Sequence, residues 1–217
     1  AYHQMHDTVR GISGTGAGVI YPNSTDSAET ASAIQSFDSD GFTLHASRSA
    51  SINSDNGHIA WGWKAGGVPS GSALSLSGGI GAGTIANNAT GVTQITNIVQ
   101  SVNQNTGFSI TKFRGAADGG TFPHNLGGAP SWVIVKQLTS GVGNQNWSVW
   151  HKNLSATTGK LLFLNTGAIE GSTSGYFDYS GVDMGSDTTR ISIGSNDVQG
   201  GGAVDYICYA WREIADV

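Results

Sequence analysis

Hydrophobic and polar residues alternate along this chain in short runs separated by turns rich in Gly, Asn and Asp. A period of two sends successive side chains to opposite faces and predicts β-strands. Two of the runs echo each other. After their first residue, His58-Ile59-Ala60-Trp61-Gly62-Trp63-Lys64 and Tyr206-Ile207-Cys208-Tyr209-Ala210-Trp211-Arg212 both read Ile, small, aromatic, small, Trp, cation. They start 148 residues apart (206 minus 58). Each predicts a strand with one large-residue and one small-residue face, preceded by a turn. Phe42-Thr43-Leu44 stands 16 residues before His58, and Ile191-Ser192-Ile193 stands 15 before Tyr206. At the same offset Tyr2-His3 falls on Trp150-His151. Self-similarity at a fixed spacing is the mark of a repeat.

The pattern divides the chain into three. Residues 107–217 predict a complete module, with strands at Gly107–Phe113, Trp132–Lys136, Trp147–His151, Leu162–Leu164, Ile191–Ile193 and Tyr206–Arg212. Trp132-Val133-Ile134-Val135-Lys136 is nearly continuous in apolar residues, as in a strand covered on both faces. Residues 1–66 match only the second half of that module. Residues 67–106, punctuated by Gly66-Gly67, Gly78-Gly79 and Gly81-Ala82-Gly83, read as a partly ordered Gly/Ser/Asn-rich connector. There Ile95, Ile98 and Val102 recur at spacings of three and four, open to a short helix or an extended segment. The fold class expected is all-β, built as two tandem β-sandwich (jelly-roll-like) modules, the first incomplete. A half module leaves bare strand edges and an apolar face, so preceding chain or a partner chain is expected to complete it.

Composition sharpens this picture. The chain has 217 residues with 33 Gly, 38% hydrophobic and only 12% charged residues, which suits many short strands and tight turns over a real core. The net charge is −5 and the ten cations are scattered, which argues against a nucleic-acid partner. No apolar run is long enough to span a membrane. The one cysteine, Cys208, lies inside a predicted strand and reads as a buried, inert thiol.

Candidate chemistry is sparse. Asp38-Ser39-Asp40-Gly41 begins like a calcium loop, but a twelve-residue loop would end on Ser49 where a Glu is needed; an Asp-Gly turn accounts for it. His3 and His6 have no third ligand at a standard spacing, and no metal or cofactor is expected. Gly14-x-Gly16-x-Gly18 lacks the strand–helix frame of a phosphate loop. Asp178, Asp183 and Asp187 cluster in a predicted loop, where aspartates commonly form turns. No Gly-x-Ser-x-Gly occurs, and the chain is not expected to be an enzyme. The aromatics Trp61, Trp63, Trp132, Trp147, Trp150, Tyr206, Tyr209 and Trp211 read as core. Ligand-binding candidates are therefore placed in loops: Asn144, Asn146, Tyr176, Tyr179 and Asn196, which combine polar groups with adaptable backbone.

Several motifs carry a family resemblance. They are Asp7-Thr8-Val9-Arg10-Gly11, Ser36–Leu44 with its Asp-Gly-Phe-Thr-Leu end, and Ile59–Gly67. The second half adds Gly107-Phe108-Ser109-Ile110, His124–Lys136, Trp147–His151 and Tyr206–Trp211. In this order they resemble a largely uncharacterised β module of tailed-bacteriophage tail-fibre and appendage proteins. The resemblance implies a virion component, structural and adhesive, contributing to host-surface attachment. It implies a homo-oligomer, on the analogy of other fibres a trimer, working with other virion proteins and contacting a bacterial surface glycan. Two other readings stay open: a capsid-decoration or head-fibre protein, and a glycan-cleaving tailspike.

Overall fold

The computed structural model describes residues 3–12, 18–29, 33–45, 57–139, 145–172, 175–196 and 204–215. The chain is all-β; the one helical element among the described residues is a 3-10 turn at Tyr179–Gly181. Strands β1 (Ile34–Phe37) and β2 (Phe42–Leu44) form a separate hairpin. The remaining strands are β3 (Ile80–Ile85), β4 (Thr96–Asn103), β5 (Phe108–Arg114), β6 (Gly120–Pro123), β7 (Trp132–Gln137), β8 (Ser148–His151), β9 (Lys160–Phe163), β10 (Gly171–Ser172), β11 (Arg190–Ile193) and β12 (Asp205–Trp211). Eight of them make one antiparallel sheet in the order β10-β9-β8-β7-β12-β5-β4-β3. β6 and β11 pair as a second, two-stranded sheet.

β12 is the centre of this architecture, and its alternation explains the layers. Tyr206, Cys208 and Ala210 enter one core, together with Phe113, Val133, Val135 and Trp150 of the large sheet and Phe122, Ile191 and Ile193 of β6 and β11. The small sheet thus packs on one face of the large one, an arrangement consistent with a β-sandwich. Ile207 and Tyr209 enter a second core on the opposite face, with Ile110, Ile134, Trp147 and Val149. Among the described residues no strand ladder covers that face. It is covered by residues 3–12 and 18–29, which contribute buried Ile20 and the partly buried Met5, Val9 and Ala28. Residues on one cross-sheet row (Ser101, Ile110, Tyr209, Ile134, Val149) stand opposite one another in register.

Residues 3–12 and 18–29 form a strap held by its own bridges, Met5 to Ile20 and Val19 to Glu29. The sheet grips it through side-chain donors. The Tyr209 hydroxyl donates to Asp7 Oδ2 (2.6 Å). Trp147 Nε1 donates to the carbonyls of Tyr21 (3.0 Å) and Ser24 (3.1 Å). Lys136 Nζ donates to the Thr25 carbonyl (3.2 Å) and to that of Gln145 (2.8 Å). Asp7 is buried against Arg10 (Nε to Oδ2, 2.5 Å), and its other oxygen accepts from the amides of Val9 and Arg10. Burial, aided by the Asp7 charge, pushes the Tyr209 hydroxyl well above its ordinary range, so it stays a donor. Burial likewise lowers Lys136 to about 8, with Asp26 pulling the other way.

Three expectations are corrected. Residues 67–106 are not a connector: they supply β3 and β4 of the large sheet. Their glycines serve close packing, since a Cβ on Gly81 would lie 2.0 Å from the Ser75 carbonyl oxygen and one on Gly83 2.6 Å from that of Ser72. The spacing of three between Ile95 and Ile98 comes from a bulge between Thr96 and Val99, with Asn97 at φ 51, rather than from a helical turn. Residues 107–217 are also not complete alone, because their sheet takes β3 and β4 from outside that span and one of its faces is covered by the strap. Finally, His58–Lys64 is not a strand. β5 and β7 both pair with β12, and among the described residues no ladder includes Ile59–Lys64. The Gly14-x-Gly16 turn and the loop over 197–203 lie outside the described residues.

Candidate functional site

At one end of the large sheet the register aligns Phe108, Trp211, Trp132 and His151 across four adjacent strands. Neighbouring strands sit about 4.8 Å apart, so rings in such a row stand side by side like books on a shelf. Trp211 stacks on Trp132 (centroids 4.6 Å, planes 24° apart) and on Phe108 (4.9 Å, 29°). The faces of Trp211 are thus occupied by its neighbours, and the row packs as structure.

Trp63 is placed differently. It meets Trp211 at 72° and 5.8 Å, and Phe108 at 43° and 6.5 Å. It therefore packs across the row rather than within it, yet is 50% exposed. Trp61 (80%) and Ile59 (84%) extend the apolar surface beyond the sheet. The segment is fixed at its C-terminal end. Thr106 Oγ1 donates to the Lys64 carbonyl (2.9 Å) and Ser101 Oγ to that of Gly67 (2.7 Å). A Cβ on Gly66 would lie 2.0 Å from the Gly81 carbonyl oxygen and 2.5 Å from that of Val102, so only glycine lets the chain cross β3 and β4 this closely. Gly67 adopts φ 101, the conformation in which glycine is favoured. The Gly pair of the Trp-Lys-Ala-Gly-Gly motif anchors an outlying aromatic segment. Partly exposed indoles flanked by Lys64 can stack on an apolar ring face, with charge beside them for polar substituents.

The reading of Trp61, Trp63 and the other aromatics named with them as core is thereby corrected in part. Trp147, Trp150, Tyr206 and Tyr209 are buried; Trp61 and Trp63 are not. What marks the difference is the availability of neighbouring strands, which the sequence of either copy does not contain.

The loop candidates take other roles. Asn144 lies outside the described residues. Asn146 is 8% exposed, its Oδ1 accepting from Asn165 Nδ2 (2.8 Å), while Asn165 Oδ1 accepts from the Trp147 amide (2.9 Å). Those amides lock the entry to β8. Tyr176 is 7% exposed and packs edge-on against Phe163 at 6.2 Å, within the core under β11. The Tyr179 hydroxyl accepts from Gln94 Nε2 (2.8 Å). The Asn196 amide donates to the Gly175 carbonyl (3.0 Å), which brings Asn196 beside the Tyr176 loop.

The acidic residues are turned toward local donors. Asp38 accepts from Ser36 Oγ and Thr43 Oγ1, both at 2.8 Å, as an Asp-Gly turn does. Asp178 accepts from the Gly175 amide and Asp183 from the Gly185 amide. Burial pushes Asp187 up, but hydrogen bonds from the Thr189 hydroxyl and amide and from Arg190 outweigh it and hold the carboxyl down to about 2. Among the described residues no three His, Cys, Asp or Glu side chains gather as metal ligands would. Burial pushes the Cys208 thiol well above its usual range, away from thiolate chemistry.

The profile of a domain of unknown function, DUF7483, matches residues 1–216, which takes in both the strap and the β12 module. The chain belongs to the DUF7483 family. No curated protein and no solved structure matches it. The family match spans the strap, the outlying aromatic segment and the large sheet as one stretch of DUF7483 sequence.

Proposed function

We propose that this DUF7483 chain is a non-catalytic structural and adhesive component of a bacteriophage tail fibre or appendage, attaching to a bacterial surface glycan through Ile59–Trp63. The observation that carries the reading is Trp63, packed across the aromatic row while half exposed, with Trp61 and Ile59 continuing the surface outward. An indole face stacks on the C–H face of a sugar ring, and a rigid sheet beneath it limits the ordering cost of binding. The ordered series of motifs resembling phage-fibre modules supports the virion setting. In this reading the chain carries tandem β-sandwich modules. His58–Lys64 is the β12 counterpart of a module that another chain of the homo-oligomer completes. Several copies then multiply a weak contact into firm attachment.

The test is a glycan array probed with the purified oligomer, alongside antibody labelling of particles. The proposal expects glycan binding that falls at least tenfold in Trp61→Ala, together with label on the tail. Trp61 is largely exposed, so the same substitution should change folding stability by no more than about 0.5 kcal/mol. Equal binding by the variant defeats the aromatic site. Label on the head lattice defeats the tail assignment, and release of oligosaccharide defeats the non-catalytic one.

A further inference from the structure

A pocket opens beside the β3 edge of the large sheet, on the face turned away from the aromatic segment. β4 separates the two. Ser101 holds the Gly67 carbonyl that anchors the aromatic segment, whereas its neighbour Gln100 donates through Nε2 to the Pro123 carbonyl of β6 (2.9 Å). Successive strand residues point to opposite faces. The pocket has a volume of about 340 Å³, within the range of small-molecule sites. Leu74, Ile85 and Pro123 give it aliphatic surface, and Thr84, Thr90 and Asn125 give it neutral polar groups. Among the described residues lining it there is no ionisable side chain and no aromatic ring.

The polar groups are set in place by the fold. Asn125 adopts φ 55, a left-handed conformation that is uncommon outside glycine and that clusters at ligand sites. Its Nδ2 donates to Gln100 Oε1 (2.7 Å), and its carbonyl accepts from Gln104 Nε2 (2.9 Å). Gln100 is itself fully buried and donates through Nε2 to Thr111 Oγ1 (2.8 Å). Asn125 Oδ1 is left as an acceptor that no donor among the described residues reaches and that is not sealed from solvent. The exposed Thr90 hydroxyl likewise has no partner among the described residues. Thr84 Oγ1 donates to the Ser72 carbonyl (3.1 Å), so it offers the pocket lone pairs only. The wall at residues 86–90 is pinned by the Ala89 amide on the Ala86 carbonyl (2.9 Å) and by the Asn97 amide on Asn87 Oδ1 (3.1 Å).

We propose that this pocket is a second ligand site, independent of Ile59–Trp63, and that it takes an uncharged saccharide ring. An anion accepts only, and would meet two acceptors and no cation. Arg190, beside Gly91, already spends its guanidinium on Asp187 Oδ2 (Nε 3.0 Å, Nη2 2.8 Å). A cation would find no carboxylate, and a flat aromatic ligand no ring to stack on. A pyranose offers C–H groups to Leu74, Ile85 and Pro123. Its hydroxyls donate to Asn125 Oδ1 and Thr84 Oγ1, and either donate to or accept from Thr90. A lining already held by the fold loses little freedom on binding.

Amide chemical-shift mapping on the full chain tests this. Methyl β-glucoside, methyl β-galactoside and N-acetylglucosamine are the neutral probes; inorganic phosphate and choline are the charged ones. The expected result is a saturable shift of the Thr84, Ile85, Ala89, Thr90 and Asn125 amides with at least one sugar, at a Kd of about 1–10 mM, and none with the charged probes. Thr90→Val, which keeps the shape, should weaken binding about two- to tenfold. Ala89→Trp, which fills the pocket, should abolish it, and Thr90→Val decides the point if the tryptophan disturbs the rest of the spectrum. Trp61→Ala should leave it unchanged, so the aromatic site and the pocket fail separately. Sugar shifts confined to the surroundings of Trp61 and Trp63 overturn the pocket and spare the aromatic site. No saturable shift with any of the three sugars overturns the saccharide class, as do pocket shifts with phosphate or choline. Undiminished binding in Thr90→Val overturns the location.

Discussion

Acid should destabilise the folded sheet through His124, on the opposite face from the strap. This side chain is fully buried at the end of β6, and its Nδ1 accepts from the Leu126 amide at 3.0 Å. Accepting at Nδ1 requires the tautomer with hydrogen on Nε2, and a second proton has only Nδ1 to occupy, at the expense of that bond. Burial accordingly lowers His124 to about 4, and the proximity of Asp187 offsets this only in part. The sign follows from linkage: the unfolded chain binds a proton near pH 6.5 while the native chain refuses it until near pH 4. Stability is full above about 6.5 and falls as pH drops toward 4. From pH 7 to pH 5 the loss from this residue is about 2 kcal/mol, and the whole window is worth about 3.4 kcal/mol. Urea unfolding at the two pH values, followed by the fluorescence of buried Trp147 and Trp150, measures it. His124→Gln, which keeps an acceptor for the Leu126 amide but has no proton to gain, should remove about 2 kcal/mol of the pH dependence. An unchanged pH dependence in that variant refutes the reasoning.

Two further outcomes follow from packing and charge. Asp7→Ala leaves the Arg10 guanidinium buried without its carboxylate and should cost about 3–5 kcal/mol in urea unfolding, with part of the loss recovered by adding Arg10→Met. Gly66→Ala drives a Cβ into the Gly81 and Val102 carbonyls, which belong to paired strands and cannot swing aside. It should lower stability by about 1–3 kcal/mol in thermal unfolding, whereas the neighbouring exposed position Gly62, with open space around it, should accept Ala with little change.

The strands that alternation identifies best are those with neighbours on both sides. Tyr206–Trp211 and Trp132–Gln137 are such strands: each residue type matches the core it enters, so local pattern and tertiary burial agree. Ile59–Lys64 has the same pattern and no ladder among the described residues. Alternation records fitness to pair, whereas pairing itself depends on strands elsewhere in the chain. β3 and β4 hide from the pattern for the opposite reason. Gly81 and Gly83 look like linker residues because close backbone approach leaves no room for a side chain, and the bulge at Thr96–Val99 shifts the parity of Ile95 and Ile98. Polarity and adaptable backbone point to loop residues as binding candidates. Asn146 and Tyr176 are polar or aromatic residues whose groups find partners inside the protein instead. Asp7 and Tyr209, 202 residues apart, share a hydrogen bond that no local window contains.

The strap also bounds what any substitution beneath it can cost. Once its contacts are weakened by more than its own opening free energy, the strap simply lifts, and further damage to those contacts no longer registers in global unfolding. The loss in Asp7→Ala is therefore capped at the opening free energy that hydrogen exchange reads from Met5, Val19 and Ile20. If the strap opens at 2 kcal/mol on that scale, the Asp7 variant cannot lose about 3–5 kcal/mol. It then loses about 2, and the Asp7→Ala/Arg10→Met pair shows no recovery beyond it. His124 stands outside this cap, because it is buried against β6 and the sheet-on-sheet core rather than under the strap. Acid acting through His124 therefore weakens the sheet-on-sheet fold itself, whatever holds the strap.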